Sequence, residues 1–183
     1  MSRPTHRARI GMIRSSIEEA ISRKYPEAVV MVVSCDREGR PNVMPAGWFM
    51  FTSGNPPMVA VSIAPQRYTH KLISETGEFV ITFPSEGQEK MIDQCGSCSG
   101  RDVDKFREFD IPVQSAEIVE PPLIEGSVAA FECKKEAALT TGDHTIFSGI
   151  IVAAHVSREK RLRVYNLGGG GPESYRALLP KRD

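Results

Sequence analysis

The chain has 183 residues and balances 23 Lys plus Arg against 23 Asp plus Glu, for a formal net charge of zero. A chain of this length builds one domain with its own core, and the charge balance argues against a nucleic-acid binder, which carries a basic excess. The apolar runs Ala28–Val33 and Ile150–Ala154 are too short to cross a bilayer. The Arg-rich start lacks the apolar stretch of a secretory signal, and four cysteines in a chain that needs no staples fit reduced thiols in a cytoplasm.

Residues 1–13 read as a loose basic arm. Ser15 with Glu18, or Ser16 with Glu19, offers a capping box for a short helix reaching about Lys24. After Pro26, the β-branched run Ala28–Val33 predicts a strand buried on both faces. Asp36–Arg40 contains Gly39 and predicts a hairpin turn. Asn42–Met44 and Trp48–Thr52 read as strand pieces broken by Pro45, Ala46 and Gly47. Met58–Ile63 follows as a strand after the Asn55-Pro56-Pro57 turn. Thr69 is a candidate N-cap for a short helix that Gly77 stops. Phe79–Phe83 is a strand, and Ser85 with Gln88 caps a helix ending near Gly96. Long strands at 128–139 and 145–156 flank a turn at Thr140–Asp143. A last strand covers 162–166, before a Gly-rich tail over 167–183. About seven strands with hairpin spacing predict a mainly β protein, a sandwich or barrel with short flanking helices. No GxGxxG follows a strand and strands do not alternate regularly with helices, which argues against a dinucleotide fold of the doubly wound kind.

Two polar segments carry the chemistry. Ser62, Arg67, Thr69 and Lys71 surround one predicted helix start. Hydroxyls, a guanidinium, an ammonium and free backbone N–H groups are what a phosphate monoester needs. The competing reading is a solvated loop. Pro45-Ala46-Gly47-Trp48 can bring backbone and one indole against a planar ring; the competing reading is a bulge with a core Trp. His144, after Gly142-Asp143, can assist proton movement near neutral pH, or simply cap a turn. Cys95-Gly96-Ser97-Cys98 is a CxxC. It follows a helix, so the helix dipole works against a thiolate there, and a zinc site would need two more ligands, for which Cys35, Cys133 and His144 are too scattered in sequence to be predicted. Packed or loop thiols are the simpler reading. Gly168–Gly171 reads as a flexible exit that lets Tyr175 fold back.

The chain resembles the flavin reductase-like, FMN-binding split-barrel proteins, in particular the flavoredoxin-type branch. The matching elements are Val29–Val33, the Asp36–Asn42 turn, Gly47-Trp48, Asn55-Pro56-Pro57, Val61-Ser62-Ile63, Arg67-Tyr68-Thr69, Gly77-Glu78-Phe79, Cys95-Gly96, Ser99–Phe106 and Gly142–Thr145. Together they span about Pro26 to Tyr165. The resemblance implies a six-stranded Greek-key barrel with flanking helices, and a homodimer with FMN near the subunit interface. It places Arg67, Thr69 and Lys105 at the phosphate and Asn42, Ala46, Gly47 and Trp48 at the ring, with further contacts from Ser99–Lys105. Met44, Pro45, Ser62, Ile63 and Ser99 complete the cofactor-binding set. No metal is implied. Thr82 and Ile150 depart from the pattern, where relatives often carry Asn and an acidic residue.

The expected function is an FMN-binding oxidoreductase that moves electrons from NADH, NADPH or a redox-protein partner, with His144 as the candidate catalytic residue. The alternatives are a non-catalytic FMN-binding or storage protein, and a thiol-redox or zinc protein.

Overall fold

The computed structural model describes residues 11–178. Most of the basic arm expected over residues 1–13, and the end of the expected tail, lie outside the described residues. The helix α1 (Ile17–Ser22) starts at the second of the two capping boxes: Ser16 Oγ accepts from the Glu19 N–H at 3.1 Å. After it come β1 (Glu27–Ala28), β2 (Val30–Cys35), β3 (Pro41–Ala46), β4 (Phe49–Gly54), β5 (Pro57–Ile63), α2 (Tyr68–Thr76) and β6 (Glu78–Phe83). Then follow α3 (Glu89–Ser97), α4 (Lys105–Glu108), β7 (Val113–Gln114), β8 (Leu123–Ile124), β9 (Ala129–Thr141), β10 (His144–Val156), β11 (Val164–Asn166) and β12 (Tyr175–Ala177).

The main sheet is antiparallel, with seven strands in the order β3-β2-β6-β9-β10-β5-β4. The described residues form twelve strands in all, more than the seven or so read along the whole chain, and the main sheet has seven where the resemblance implies a six-stranded barrel. The chain steps from β3 directly to β4, which stand at opposite ends of that order, so the sheet must curl. The Ser62 N–H donates to Trp48 O at 2.9 Å, which extends the β4–β5 ladder up to the seam between β3 and β4. The result is a split barrel, mainly β, flanked by the β1–β11–β12 and β7–β8 sheets.

The barrel has an inner and an outer core. On β2 the side chains alternate: Val30 and Val32 pack inward with Val61, Ile81 and Phe147, while Met31 and Val33 pack outward with Val80, Ile92 and Leu123. Every residue of β2 is therefore buried, as its unbroken β-branched run predicts. Each such aliphatic side chain contributes roughly 1.5–3 kcal/mol. Phe79 fills the barrel because Gly149 faces it: a Cβ there would meet the Phe79 ring at 2.6 Å. The departures at Thr82 and Ile150 leave the ladders intact, with Thr82 opposite Met31 and Ala130, and Ile150 opposite Met58 and Lys134.

Three local expectations change. β3 continues through Pro45 and Ala46, and the break falls at Gly47-Trp48. β3 is an edge strand, so the missing N–H of Pro45 takes nothing from the ladder. Thr69 is not an N-cap: Arg67 occupies that position and Thr69 lies inside α2, 1% exposed. The tail is folded where described, with β12 paired to β11. Gly77 does end α2, in the left-handed region at φ 74°.

Glu132 is fully buried on β9, and its carboxylate anchors an irregular segment. It accepts from the N–H groups of Glu117, Ile118 and Val119 at 2.7–3.0 Å and lies 2.7 Å from His155 Nε2. Burial alone would raise its pKa. The Glu117 N–H, the His155 bond and the other two N–H groups outweigh burial and hold it below the usual carboxylate range. A depressed folded-state pKa stabilises the fold above the unfolded value, near 4.3, and that stability is lost as pH falls through the folded value. Replacing Glu132 with Ala should destabilise the protein by about 2–4 kcal/mol at pH 7 in urea unfolding. Glu132→Gln should flatten the acid limb of a stability–pH curve. An unchanged limb would show that this carboxylate does not control acid lability.

Candidate functional site

The first cleft lies where β3, the start of α2 and the segment after α3 meet, and measures about 220 Å³. α2 begins without a side-chain cap; the His70 N–H donates back to Arg67 O at 3.1 Å, while the Tyr68 and Thr69 N–H groups stand at the positive end of the helix dipole. Arg67 and Arg101 are exposed at the cleft, and Lys105 lies within its wall. No acidic residue lines it. Among the described residues neither Arg67 nor Arg101 has an ion-pair partner within salt-bridge distance. Arg101 Nη1 donates to Gln66 O at 2.9 Å across the mouth, and its guanidinium lies 5.4 Å from the Tyr68 ring centroid.

Lys105 is placed by a local signal: Asp104 caps the one-turn α4 by accepting from the Arg107 N–H at 3.2 Å. That sets Lys105 at the first helical position. Its side chain enters the gap between β3 and α3, 4% exposed. The ammonium donates to Val43 O at 2.9 Å and Cys95 O at 2.6 Å. Burial pushes its pKa down; the nearby Cys95 and Cys98 oppose this, and Arg67 adds to it. Lys105 is thus a buried support with two of its donors spent, rather than the free phosphate ligand expected from sequence.

The second cleft, about 240 Å³ and largely apolar, lies on the outer face of the seam. Gly47, Trp48, Met50, Ser62 and Ile146 line it. Trp48 is 53% exposed, which excludes the core-Trp reading. Its ring stands 4.7 Å from that of His144, tilted 41°, with Lys24 Nζ 5.8 Å from its centroid. His144 Nδ1 lies 2.7 Å from Asp143 Oδ1. That bond and the charge of His144 hold the Asp143 carboxyl below its usual range. Gly47 has a direct reason to be glycine: a Cβ would come within 2.8 Å of the Glu27 carboxylate lying on it.

The predicted residues therefore divide. Asn42, Met44, Arg67, Thr69, Ser99 and Lys105 line the cationic cleft. Gly47, Trp48 and Ser62 line the apolar one, with His144 against Trp48. Asn42 thus stands at the anion end and not at the ring end. Pro45 and Ala46 lie between the clefts on β3, Pro45 packing on Gly96 and Ala46 against the barrel core. Ile63 is 1% exposed inside the barrel and presents no side chain to either cleft. Lys71 is 3.8 Å from Glu75 on the exposed side of α2 and is not part of the cleft lining. Arg101, Gln66 and Tyr68 were missed, although Arg101 stands inside the singled-out Ser99–Phe106 segment. The Gln66 contribution is a backbone carbonyl, which no side-chain pattern reveals.

Cys95 and Cys98 both border the cationic cleft. Burial pushes the Cys95 thiol up to about 12, against the pull of Lys105, so it is no thiolate at neutral pH. Among the described residues, no group of three or more His, Cys, Asp or Glu could hold a metal ion. No described helix is long and apolar enough to cross a membrane.

Residues 22–170 match the model of the flavin reductase like domain. The chain belongs to the flavin reductase-like family. It is 33% identical over 132 residues to an NADH-type FMN reductase of Agrobacterium fabrum, covering 72% of this chain and 71% of that one. It superposes on the flavoredoxin of Desulfovibrio vulgaris with TM-score 0.78 and 27% identity, covering 93% and 96% of the two chains. An FMN-binding protein of Thermus thermophilus gives TM-score 0.77 and 30% identity, covering 91% and 94%.

The Lys105 support is testable apart from any ligand. Lys105→Met should leave the Val43 and Cys95 carbonyls without their buried donor and cost about 1–3 kcal/mol in urea unfolding. A variant as stable as wild type would show that water or a neighbour replaces the ammonium at no cost.

Proposed function

We propose that this protein binds FMN and works as an oxidoreductase, receiving electrons from NADH, NADPH or a redox-protein partner. The observation that carries the reading is the pairing of an acid-free cationic cleft at the uncapped start of α2 with an apolar aromatic cleft, joined by the run from Asn42 on β3 to Trp48 beyond its end. From Asn42 to Trp48 the chain spans roughly 20 Å at ~3.3 Å per residue. A cofactor with a phosphate at one end and a planar ring at the other fits that polarity.

Bound FMN would supply the two-electron chemistry itself. The protein residues do the rest. Arg67, Arg101 and the first N–H groups of α2 take the phosphate, while the Lys105 charge beneath the cleft adds attraction without moving. Gly47 allows close approach of the backbone, Trp48 and Ile146 keep water from the ring, and His144, oriented by Asp143, is placed to hold or give up a proton. Exposed Trp48, Met50, Leu139 and Val152 support a homodimer that covers the ring end. All four cysteines are unpaired, which supports a reducing compartment such as the cytoplasm.

The purified protein should carry, or take up, FMN and show its visible bands. Arg67→Ala and Arg101→Ala should each weaken FMN by about tenfold to a hundredfold and leave riboflavin, which lacks the phosphate, unaffected. If FMN titrations of both variants match wild type, the phosphate lies elsewhere. Anaerobic addition of NADH or NADPH should bleach the bound flavin. Failure with both nucleotides and with reduced redox proteins would favour a binding or storage role.

A further inference from the structure

The segment that leads into the barrel lays an ion pair against the wall of the apolar cleft. Lys24 Nζ lies 2.7 Å from Glu27 Oε2, and the two side chains are only 31% and 16% exposed. Every other pair between Lys or Arg and a carboxylate among the described residues has one side chain more than half exposed. Water and salt therefore screen the Lys24–Glu27 pair less than the rest.

The pair is held in place from several sides. Glu27 stands opposite Asn166 in the β1–β11 ladder. Tyr25 packs so closely on Gly168 that a Cβ there would come within 2.7 Å of its ring. Lys24 Nζ lies 5.2 Å from the Tyr25 ring centroid and 5.8 Å from that of Trp48. The Glu27 carboxylate rests on Gly47. Gly47 and Trp48 line the apolar cleft, whereas Lys24 and Glu27 do not. Two opposite charges thus stand behind adjacent residues of one wall, and the cleft can be filled without displacing either. Its lining carries no charged side chain of its own, so their fields reach an occupant across a medium of low dielectric.

We infer that Lys24 and Glu27 set the reduction potential of a redox ring held in this cleft. A flavin ring that takes up two electrons and one proton gains one unit of negative charge. The Glu27 carboxylate opposes that gain and lowers the potential. The Lys24 ammonium favours it and raises the potential. Their pairing keeps the two effects close to balance, so each acts strongly once the other is removed. The inference rests on the FMN reading, with the ring in the apolar cleft, and goes beyond it by naming the side chains that tune the ring's affinity for electrons.

The test is the midpoint potential of the FMN-loaded protein at pH 7, measured by anaerobic reduction with dithionite against a reference dye. Glu27→Gln should raise the potential and Lys24→Gln should lower it. Each should change the ratio of reduced to oxidised flavin at a fixed potential by about tenfold, or ~30 mV for a two-electron couple. The double variant should return toward wild type. A wall that is merely loosened gives no such opposed pair of shifts. Unchanged potentials, shifts of one sign, or a double variant that keeps the full shift of either single one overturn the inference and leave the cofactor reading standing. Each single variant carries its own sign, so one that folds and binds flavin is enough to decide. If wild type takes up no flavin, the cofactor reading falls and takes the inference with it.

Discussion

One buried ammonium sets the geometry of the site. Lys105 joins Val43 O on β3 to Cys95 O in α3. A cation taken out of water needs acceptors, and those carbonyls, one at a free sheet edge and one at the negative end of a helix, need donors. Each side of the contact meets the other's requirement. Pinning α3 to β3 in this way seats Gly96 on Pro45 and fixes where the Ser99–Arg101 loop starts. The same ammonium leaves a positive charge under a cleft that no acidic residue lines.

The barrel and the site divide the work. Inward side chains such as Phe79 and Phe147 are buried inside the barrel. The clefts lie outside, along the edge strand β3 and the seam to β4. That edge is available because β4 pairs with β5 in a hairpin and not with β3, which leaves β3 paired on one side only. An unpaired edge is ordinarily an aggregation liability. Here Pro45 interrupts its donors, and Lys105 consumes one of its acceptors.

The CxxC illustrates how packing decides between readings of one motif. Its first thiol points into the outer core with Ile92 and Val43. Lys105 neighbours it, but the ammonium goes to the carbonyl of Cys95 and not to its sulfur. Burial without a dedicated cation partner raises a thiol's pKa, and the redox reading needs the opposite.

Much was legible from sequence because it depended on local or periodic signals. The double burial of β2 followed from its unbroken β-branched run. The end of α2 followed from Gly77, and the β9–β10 hairpin from Gly142-Asp143. The segments that carry the site, Asn42–Lys71 and Ser99–Lys105, were visible as well, because Gly, Pro and charged residues stand out against strands. What the sequence could not decide was how far each side chain is spent on its own fold. Arg67 stays free while Lys105 is committed, and Ile63 turns into the barrel while Ser62 faces out. Asn42 reaches the anion end because β3 brings it against Thr69, twenty-seven positions along the chain. These outcomes depend on contacts between residues distant in sequence, and only the curled sheet brings those residues together.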